Sequence, residues 1–290
     1  MKLHVLGPEG SFSHAAAMSL EARLGAALEL SMASTAEAVV RAVAEQGAEK
    51  SSIGIVPYYN FLEGLVQEHL DLIYELGVRV VGLIRVPIEL TAGGFEDPAA
   101  SECEVISHPK ALAQASAFIR SRIKNALITP VDSTASAAKR VSERRRGIAI
   151  ASEAAIRQFN LPIVARNVGN VRHGQANFTD FFVVAPRSGA IIDLGAPTHT
   201  LIAITPRINR LGLLCEMLEQ FRFYELDIAK IHSRPAIDAV DVSEEPQMFY
   251  LEVKSAPNAD PLVRCAEAIQ FKYGTSRSPG MLTILGAFCA

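Results

Sequence analysis

Residues 54–64 read Gly54-Ile55-Val56-Pro57-Tyr58-Tyr59-Asn60-Phe61-Leu62-Glu63-Gly64. The apolar run at 53–56 is halted by Pro57, and Leu65, Val66, Leu70, Leu72 and Ile73 follow at helical intervals, which predicts strand, loop, helix. In an open α/β sheet a ligand binds beyond the carboxyl ends of the strands, where amides opening the next helix face an anion. The stretch reads equally as an ordinary strand-to-helix turn with two exposed tyrosines, a frequent connection in such folds.

Upstream, residues 3–6 read as a strand and Gly7-Pro8-Glu9-Gly10-Ser11-Phe12-Ser13 as a turn, with a serine hydroxyl placed to cap a helix over 14–24. This is neither the G-x-G-x-x-G of a dinucleotide fold nor a lysine-bearing phosphate loop, although a small anion suits it. A helix is expected over 35–46 and another from Gly64 to Gly77, with strands at 79–84 and from 87 to 91. The motif then repeats: strand 105–106, turn Ser107-His108-Pro109, helix 111–122; strand 127–128, capping turn Asp132-Ser133-Thr134, helix 135–143; strand 148–150, helix 153–159. An apolar run at 181–184 leads into a Gly- and Pro-containing linker at 186–197. Beyond it the order is strand 200–205, helix 212–221, strands 227–233 and 248–253, helix 261–271, strand 281–285, a ferredoxin-like βαββαβ.

At 290 residues, 49% hydrophobic and 20% charged, the chain has the composition of a soluble two-domain globular protein. No stretch approaches the roughly 18–20 apolar residues of a membrane span, and the opening Met1-Lys2-Leu3-His4-Val5-Leu6 is unlike a signal peptide, so a cytoplasmic protein is expected. Cys103, Cys215, Cys265 and Cys289 are far apart, suggesting neither a zinc site nor a disulfide framework. A net charge of -3 with dispersed basic residues leaves no footprint for nucleic acid; Arg144-Arg145-Arg146 reads as a solvated helix end.

Taken in order, Gly7-Pro8-Glu9-Gly10-Ser11-Phe12-Ser13, Gly54-Ile55-Val56-Pro57 with Asn60 and Gly64, Ser107-His108-Pro109 with Ala111-Leu112, Ser133-Thr134-Ala135 with Ala137-Ala138, Ile150-Ala151-Ser152, and Asn177 with Thr179 and Phe181 carry a resemblance. The whole chain resembles the prephenate dehydratase family with its C-terminal ACT regulatory domain. The resemblance implies an α/β fold: a bilobal, periplasmic-binding-protein-like catalytic domain over 1–187, with lobes of roughly 1–76 plus 175–187 and 77–174, then a ferredoxin-like ACT domain over 198–290. Prephenate would bind between the lobes, held by Ser11, Ser13, Asn60, His108, Ser133, Thr134, Asn177 and Thr179. In the C-terminal part, Gly212-Leu213-Leu214 and Ile231-His232-Ser233-Arg234-Pro235 look like the family's elements that bind phenylalanine, with His232 in place of a glutamate. The expected assembly is a homodimer or homotetramer, and no metal or organic cofactor is expected.

Two departures stand out. Where the family has Val-Pro-Ile-Glu-Asn-Ser this chain has Val56-Pro57-Tyr58-Tyr59-Asn60-Phe61, and where it has Thr-Arg-Phe this chain has Thr179-Asp180-Phe181. In the family the Thr-Arg pair is assigned to protonating the leaving hydroxyl and to substrate charge, and an aspartate cannot replace arginine's fixed positive charge. The chain is thereby similar to a subgroup that decarboxylates prephenate without aromatising it, for secondary metabolism, giving a dihydro-hydroxyphenylpyruvate. On that expectation the catalytic residues are Tyr59, Thr179 and Asp180, with His108 or His173 as other proton donors. Phe61 would be a pocket wall, and Arg172 would supply the missing positive charge. The alternatives are an ordinary dehydratase forming phenylpyruvate and a non-catalytic ligand sensor. Feedback by phenylalanine is expected to be weak or absent, because a neutral imidazole at 232 gives up the charge that favours an ammonium group.

Overall fold

The structure is a computed structural model that describes residues 1–45, 52–100, 102–169, 176–188, 192–206, 210–235, 247–273 and 282–290. Gln46 and Met281, expected as element ends, lie outside the described residues. The chain divides into two compact units: Met1–Ala42, Ser52–Leu70 and Ile84–Phe182 form one, and Val43–Ser51, Asp71–Leu83 and Val183–Ala290 the other. The elements in order are β1 (Lys2–Leu6), α1 (Phe12–Leu24), β2 (Glu29–Ala33), α2 (Ala36–Glu45), β3 (Ser52–Asn60), β4 (Gly64–Leu65), α3 (Gln67–Glu75), β5 (Arg79–Pro87), β6 (Thr91–Gly94), β7 (Cys103–Ser107), α4 (Pro109–Gln114), α5 (Ser116–Arg122), β8 (Ala126–Pro130), α6 (Thr134–Arg144), β9 (Ile148–Ala151), α7 (Glu153–Gln158), β10 (Ile163–Ala165) and β11 (Phe178–Ala185). They continue with β12 (His199–Ile204), α8 (Leu213–Phe223), β13 (Ile228–Pro235), β14 (Gln247–Val253), α9 (Asp260–Tyr273) and β15 (Leu282–Phe288). Among the described residues no helix is long and apolar enough to cross a membrane.

The first unit carries two sheets. One runs β11-β3-β1-β2, with β1 parallel to both β2 and β3. Its central strands are buried on both faces, with Leu3, Val5, Ile53 and Ile55 on one and His4, Gly54 and Val56 on the other, as a helix-covered parallel sheet requires. The other runs β10-β6-β9-β7-β8, parallel from β9 to β8 and antiparallel beyond. Leu90, Val105, Ile148 and Ile150 pack beneath α4 and α5 on one face, while Ile106, Ala149 and Ala151 meet α6 and α7 on the other.

The stretch at 54–64 departs from its expected form. β3 continues through Pro57 to Asn60, and β4 folds back antiparallel on it, Tyr59 opposite Leu65 and Asn60 opposite Gly64. Pro57 lies beyond the part of β3 paired with β1, which ends with Val5 opposite Ile55, so its missing N–H costs no bond to that strand, and the chain beyond it is paired by Val66 N donating to Tyr58 O at 2.8 Å. Tyr58 is not exposed: it is buried, stacked on Phe182 at 3.8 Å between ring centroids.

In the second unit β12 to β15 form an antiparallel array in the order β13-β14-β12-β15, the ferredoxin-like arrangement. Ile202, Ile204, Phe249, Leu251 and Val253 bury one sheet face against Leu213, Met217 and Phe221 of α8 and Leu262, Cys265 and Ile269 of α9. Gly286, at φ +144°, lets β15 approach β5, since a Cβ there would collide with the Val80 carbonyl oxygen.

Candidate active site

A cavity of about 620 Å³ opens in the first unit, lined from both of its sheets. Two long helices point their N-termini at it. Ser11 caps α1, its Oγ accepting from His14 N at 3.2 Å, and Ser133 caps α6, its Oγ accepting from Ser136 N at 3.0 Å. Each cap satisfies one first-turn amide, so those before it remain outside the helical ladder beside the lining residues Phe12, Ser13 and Thr134. Such amides, with the positive end of the helix dipole, suit a carboxylate. The turn before α1 is held from the other lobe: Gly10, at φ +79°, accepts a hydrogen bond from Ser152 Oγ at 2.9 Å through its carbonyl.

Thr179 and Asn60 form the polar centre. Asn60 Nδ2 donates to Thr179 Oγ1 at 2.9 Å and to Phe178 O at 3.2 Å. Its Oδ1 accepts from Leu62 N at 3.0 Å and Glu63 N at 3.1 Å. With both ends of the amide engaged its orientation is fixed, and the threonine oxygen is an acceptor on that side. The hydroxyl proton is then directed away from Asn60, and donation to the oxygen makes that proton a stronger donor.

The ion pair beside this centre was not foreseen from sequence. Lys110 Nζ lies 2.7 Å from Glu63 Oε2, and Gln114 Nε2 donates to Glu63 Oε1 at 3.0 Å. Lys110 sits in the His108-Pro109-Lys110 turn and Glu63 in the decisive stretch, so a signal existed in each motif but not in their pairing. His108 Nδ1 accepts from Lys110 N at 3.3 Å as the cap of α4, and burial first, then the Lys110 charge, hold its imidazole below the ordinary range. It is a neutral capping group on the lining, not a ready acid.

Ser11, Ser13, Asn60, His108, Ser133, Thr134 and Thr179 all line the cavity; Tyr59, Phe61, Asn177 and Asp180 do not. Asp180 was expected in the cleft. Side chains alternate along a strand, so with Thr179 and Phe181 on the lining Asp180 faces away. It is buried and takes a two-pronged bond from Arg85, Nε at 2.7 Å and Nη2 at 2.9 Å. Phe61 stacks on Phe178 at 5.3 Å, Tyr59 tilts against the same ring at 6.3 Å, and Arg85 lies over it at 4.0 Å. Asn177 Nδ2 donates to Gln114 Oε1 at 3.3 Å behind the wall. Arg172 and His173 lie outside the described residues.

A second cavity, about 290 Å³, lies in the second unit at the start of α8. Gly212 and Leu213 line it with Arg210, Gln247 and Phe249. His232, Ser233, Arg234 and Pro235, on β13, do not. Arg234 is ion-paired with Asp71, and His232 Nε2 is buried without a hydrogen-bond partner among the described residues.

A family model described as Prephenate dehydratase matches residues 3–189. The bifunctional chorismate mutase/prephenate dehydratase of Aquifex aeolicus is 31% identical over 237 residues, covering 81% of this chain and 62% of that protein's length. The prephenate dehydratase of Bacillus subtilis is 30% identical over 247 residues, covering 81% of this chain and 83% of that one. A structure of prephenate dehydratase from Arthrobacter aurescens in complex with L-Phe is alike in fold, with a TM-score of 0.80 at 21% identity over 100% of this chain and 90% of that one. With the family model spanning more than half of its length and the Bacillus relative aligned along most of both chains, this chain belongs to the prephenate dehydratase family.

Proposed function

We propose that the chain is a prephenate dehydratase, a carbon-oxygen lyase that converts prephenate to phenylpyruvate, carbon dioxide and water. One observation carries this reading: the Thr179 hydroxyl lines the cavity while its oxygen accepts from Asn60 Nδ2 at 2.9 Å. The ring carboxylate leaves as carbon dioxide, its bonding pair becomes ring π density, and the C4–O bond breaks as Thr179 hands its proton to the departing hydroxyl. Thr179 then recovers a proton from solvent, so one proton is consumed for each water formed. The amides opening α1 and α6, with Ser11, Ser13, Ser133 and Thr134, supply hydrogen-bond donors that orient the substrate's polar groups. The charge reversal at 180 loses its force against this reading, because the Asp180 carboxylate is engaged by Arg85 off the lining.

A second reading, decarboxylation without aromatisation for secondary metabolism, has one observation in its favour. Among the described lining residues the sole Lys or Arg is Lys110, already paired with Glu63, so Thr179 lacks the adjacent arginine expected of the family. Quantifying products from prephenate separates the two. Phenylpyruvate formed one-for-one with carbon dioxide is expected; a non-aromatic keto acid would establish the second reading, and no turnover would leave a ligand sensor.

The same proposal takes 1–187 as the catalytic domain and 198–290 as an ACT regulatory domain. The cavity beside Gly212 and Leu213 would bind phenylalanine or a related amino acid, completed by His232, Ser233, Arg234 and Pro235 of a second subunit in a cytoplasmic homodimer or homotetramer. The ferredoxin-like order of the second unit supports this.

A further inference from the structure

The ion pair between Lys110 and Glu63 is built into the wall of the substrate cavity, and both residues are lining residues. Glu63 follows β3 on the first sheet, and Lys110 stands in the first turn of α4 on the second. Gln114 steadies the other Glu63 oxygen at 3.0 Å, and the Glu63 backbone N–H donates to Asn60 Oδ1 at 3.1 Å, so the pair adjoins the Asn60–Thr179 centre. The Lys110 side chain is 63% exposed and that of Glu63 30%, the setting in which an ion pair adds little stability and opens at little cost.

We propose that Lys110 is a substrate-binding and specificity residue that holds the carboxylate of the pyruvyl side chain, and that Glu63 is an internal anion displaced from it when substrate enters. This rests on the dehydratase reading of the site. The assignment of the carboxylate follows from the chemistry. A cation on the ring carboxylate would stabilise charge that disappears as carbon dioxide leaves, raising the barrier, whereas a cation on the pyruvyl carboxylate binds ground state and transition state alike. Lys110 is the sole Lys or Arg among the described lining residues, and the apolar wall of Leu6, Pro8, Val66, Ile88, Leu90 and Phe181 is where a departing carboxylate loses its hydration most readily. Glu63 thus sets a threshold: a ligand must present an anion that outcompetes a carboxylate already in place.

The test measures kcat and KM for prephenate, and the dissociation constant of phenylpyruvate by calorimetry, in the full chain and in Lys110→Met, Lys110→Arg, Glu63→Gln and the Met/Gln double variant. Lys110→Met is expected to raise KM and the phenylpyruvate constant about tenfold with kcat little changed, and Lys110→Arg to restore most of the loss. Glu63→Gln keeps the Gln114 bond and frees Lys110, so it should lower both constants about threefold, and only when Lys110 is present. A merely structural role would not give opposite signs. Constants within twofold of the parent in Lys110→Met, or weaker binding in Glu63→Gln, would overturn the proposal. Should Lys110→Met fail to fold, the sign of the Glu63→Gln effect decides alone. If the parent chain makes no phenylpyruvate, the dehydratase reading falls, while the phenylpyruvate-binding arm still decides the role of Lys110.

Discussion

Breaking the Arg85–Asp180 pair from its two ends should have unequal consequences, and the inequality decides whether Asp180 is an anchor or a proton donor. The side chain of Asp180 is 2% exposed and that of Arg85 59%. Asp180→Asn leaves a guanidinium already mostly in water, which keeps one bond to the amide oxygen and loses the other because an amide NH2 cannot accept, at a cost of about 1–2 kcal/mol. Arg85→Met instead strips the counter-charge from a buried carboxylate, costing about 3–5 kcal/mol, and removes the guanidinium from the Phe178 ring, a further ~0.5–1 kcal/mol. Equilibrium urea unfolding followed by circular dichroism reads both. Turnover supplies the second axis. A general acid at 180 predicts a loss of at least about a hundredfold in Asp180→Asn. An anchor on the far face of β11 predicts less than about tenfold, through small displacements of Thr179. A hundredfold loss in Asp180→Asn with stability intact, or Asp180→Asn destabilising more than Arg85→Met, would show that Asp180 is not an anchor.

Thr179→Val keeps the shape and removes the hydroxyl, so turnover should fall by about 10²–10⁴ while Thr179→Ser retains a substantial part; equal rates in Val and Ser variants would discard the proton-donor role. His4, His69, His108 and His199 are each held below the ordinary imidazole value of 6.5, burial being the largest cause in every case. The unfolded chain therefore takes up protons before the folded one, so their contribution to stability is complete above 6.5 and is lost as pH falls below it. Urea midpoints should drop between about pH 7.5 and about pH 5.5, and His69→Gln, which can still donate to Pro57 O, should flatten part of that slope. Phenylalanine should shift the thermal midpoint little, and His232→Glu should strengthen its binding about tenfold; micromolar, saturable inhibition of the parent chain would exclude the weak-effector expectation.

How far the sequence could be read depends on whether a feature is local. The cap Ser133 was legible within its Asp132-Ser133-Thr134 turn, and the ferredoxin-like order followed from clean periodicities in the last third, whereas α1 starts two residues earlier than the sequence suggests and is capped by Ser11. The course of β3 was not, since Pro57 normally ends a strand and the pairing that sustains it, Val66 onto Tyr58, comes from the return strand. The strands β2 and β10 are short, and neither is fully buried along any part of its length, so neither shows the apolar run that marks a core strand. Asp180 illustrates the limit best. Its partner Arg85 is 95 residues away, so the pairing could not be read, but its orientation could. Had the apolar run at 181–184 been extended back to Phe178, where β11 begins, alternation would already have turned Asp180 away from Thr179.

Whether this chain removes the ring hydroxyl of prephenate together with the carboxylate is read from the fate of that oxygen. Prephenate carrying ¹⁸O in its ring hydroxyl, turned over by the purified chain, should yield an unlabelled aromatic keto acid and labelled water. Label retained in a non-aromatic keto acid would rule out dehydration and assign the chain to decarboxylation alone.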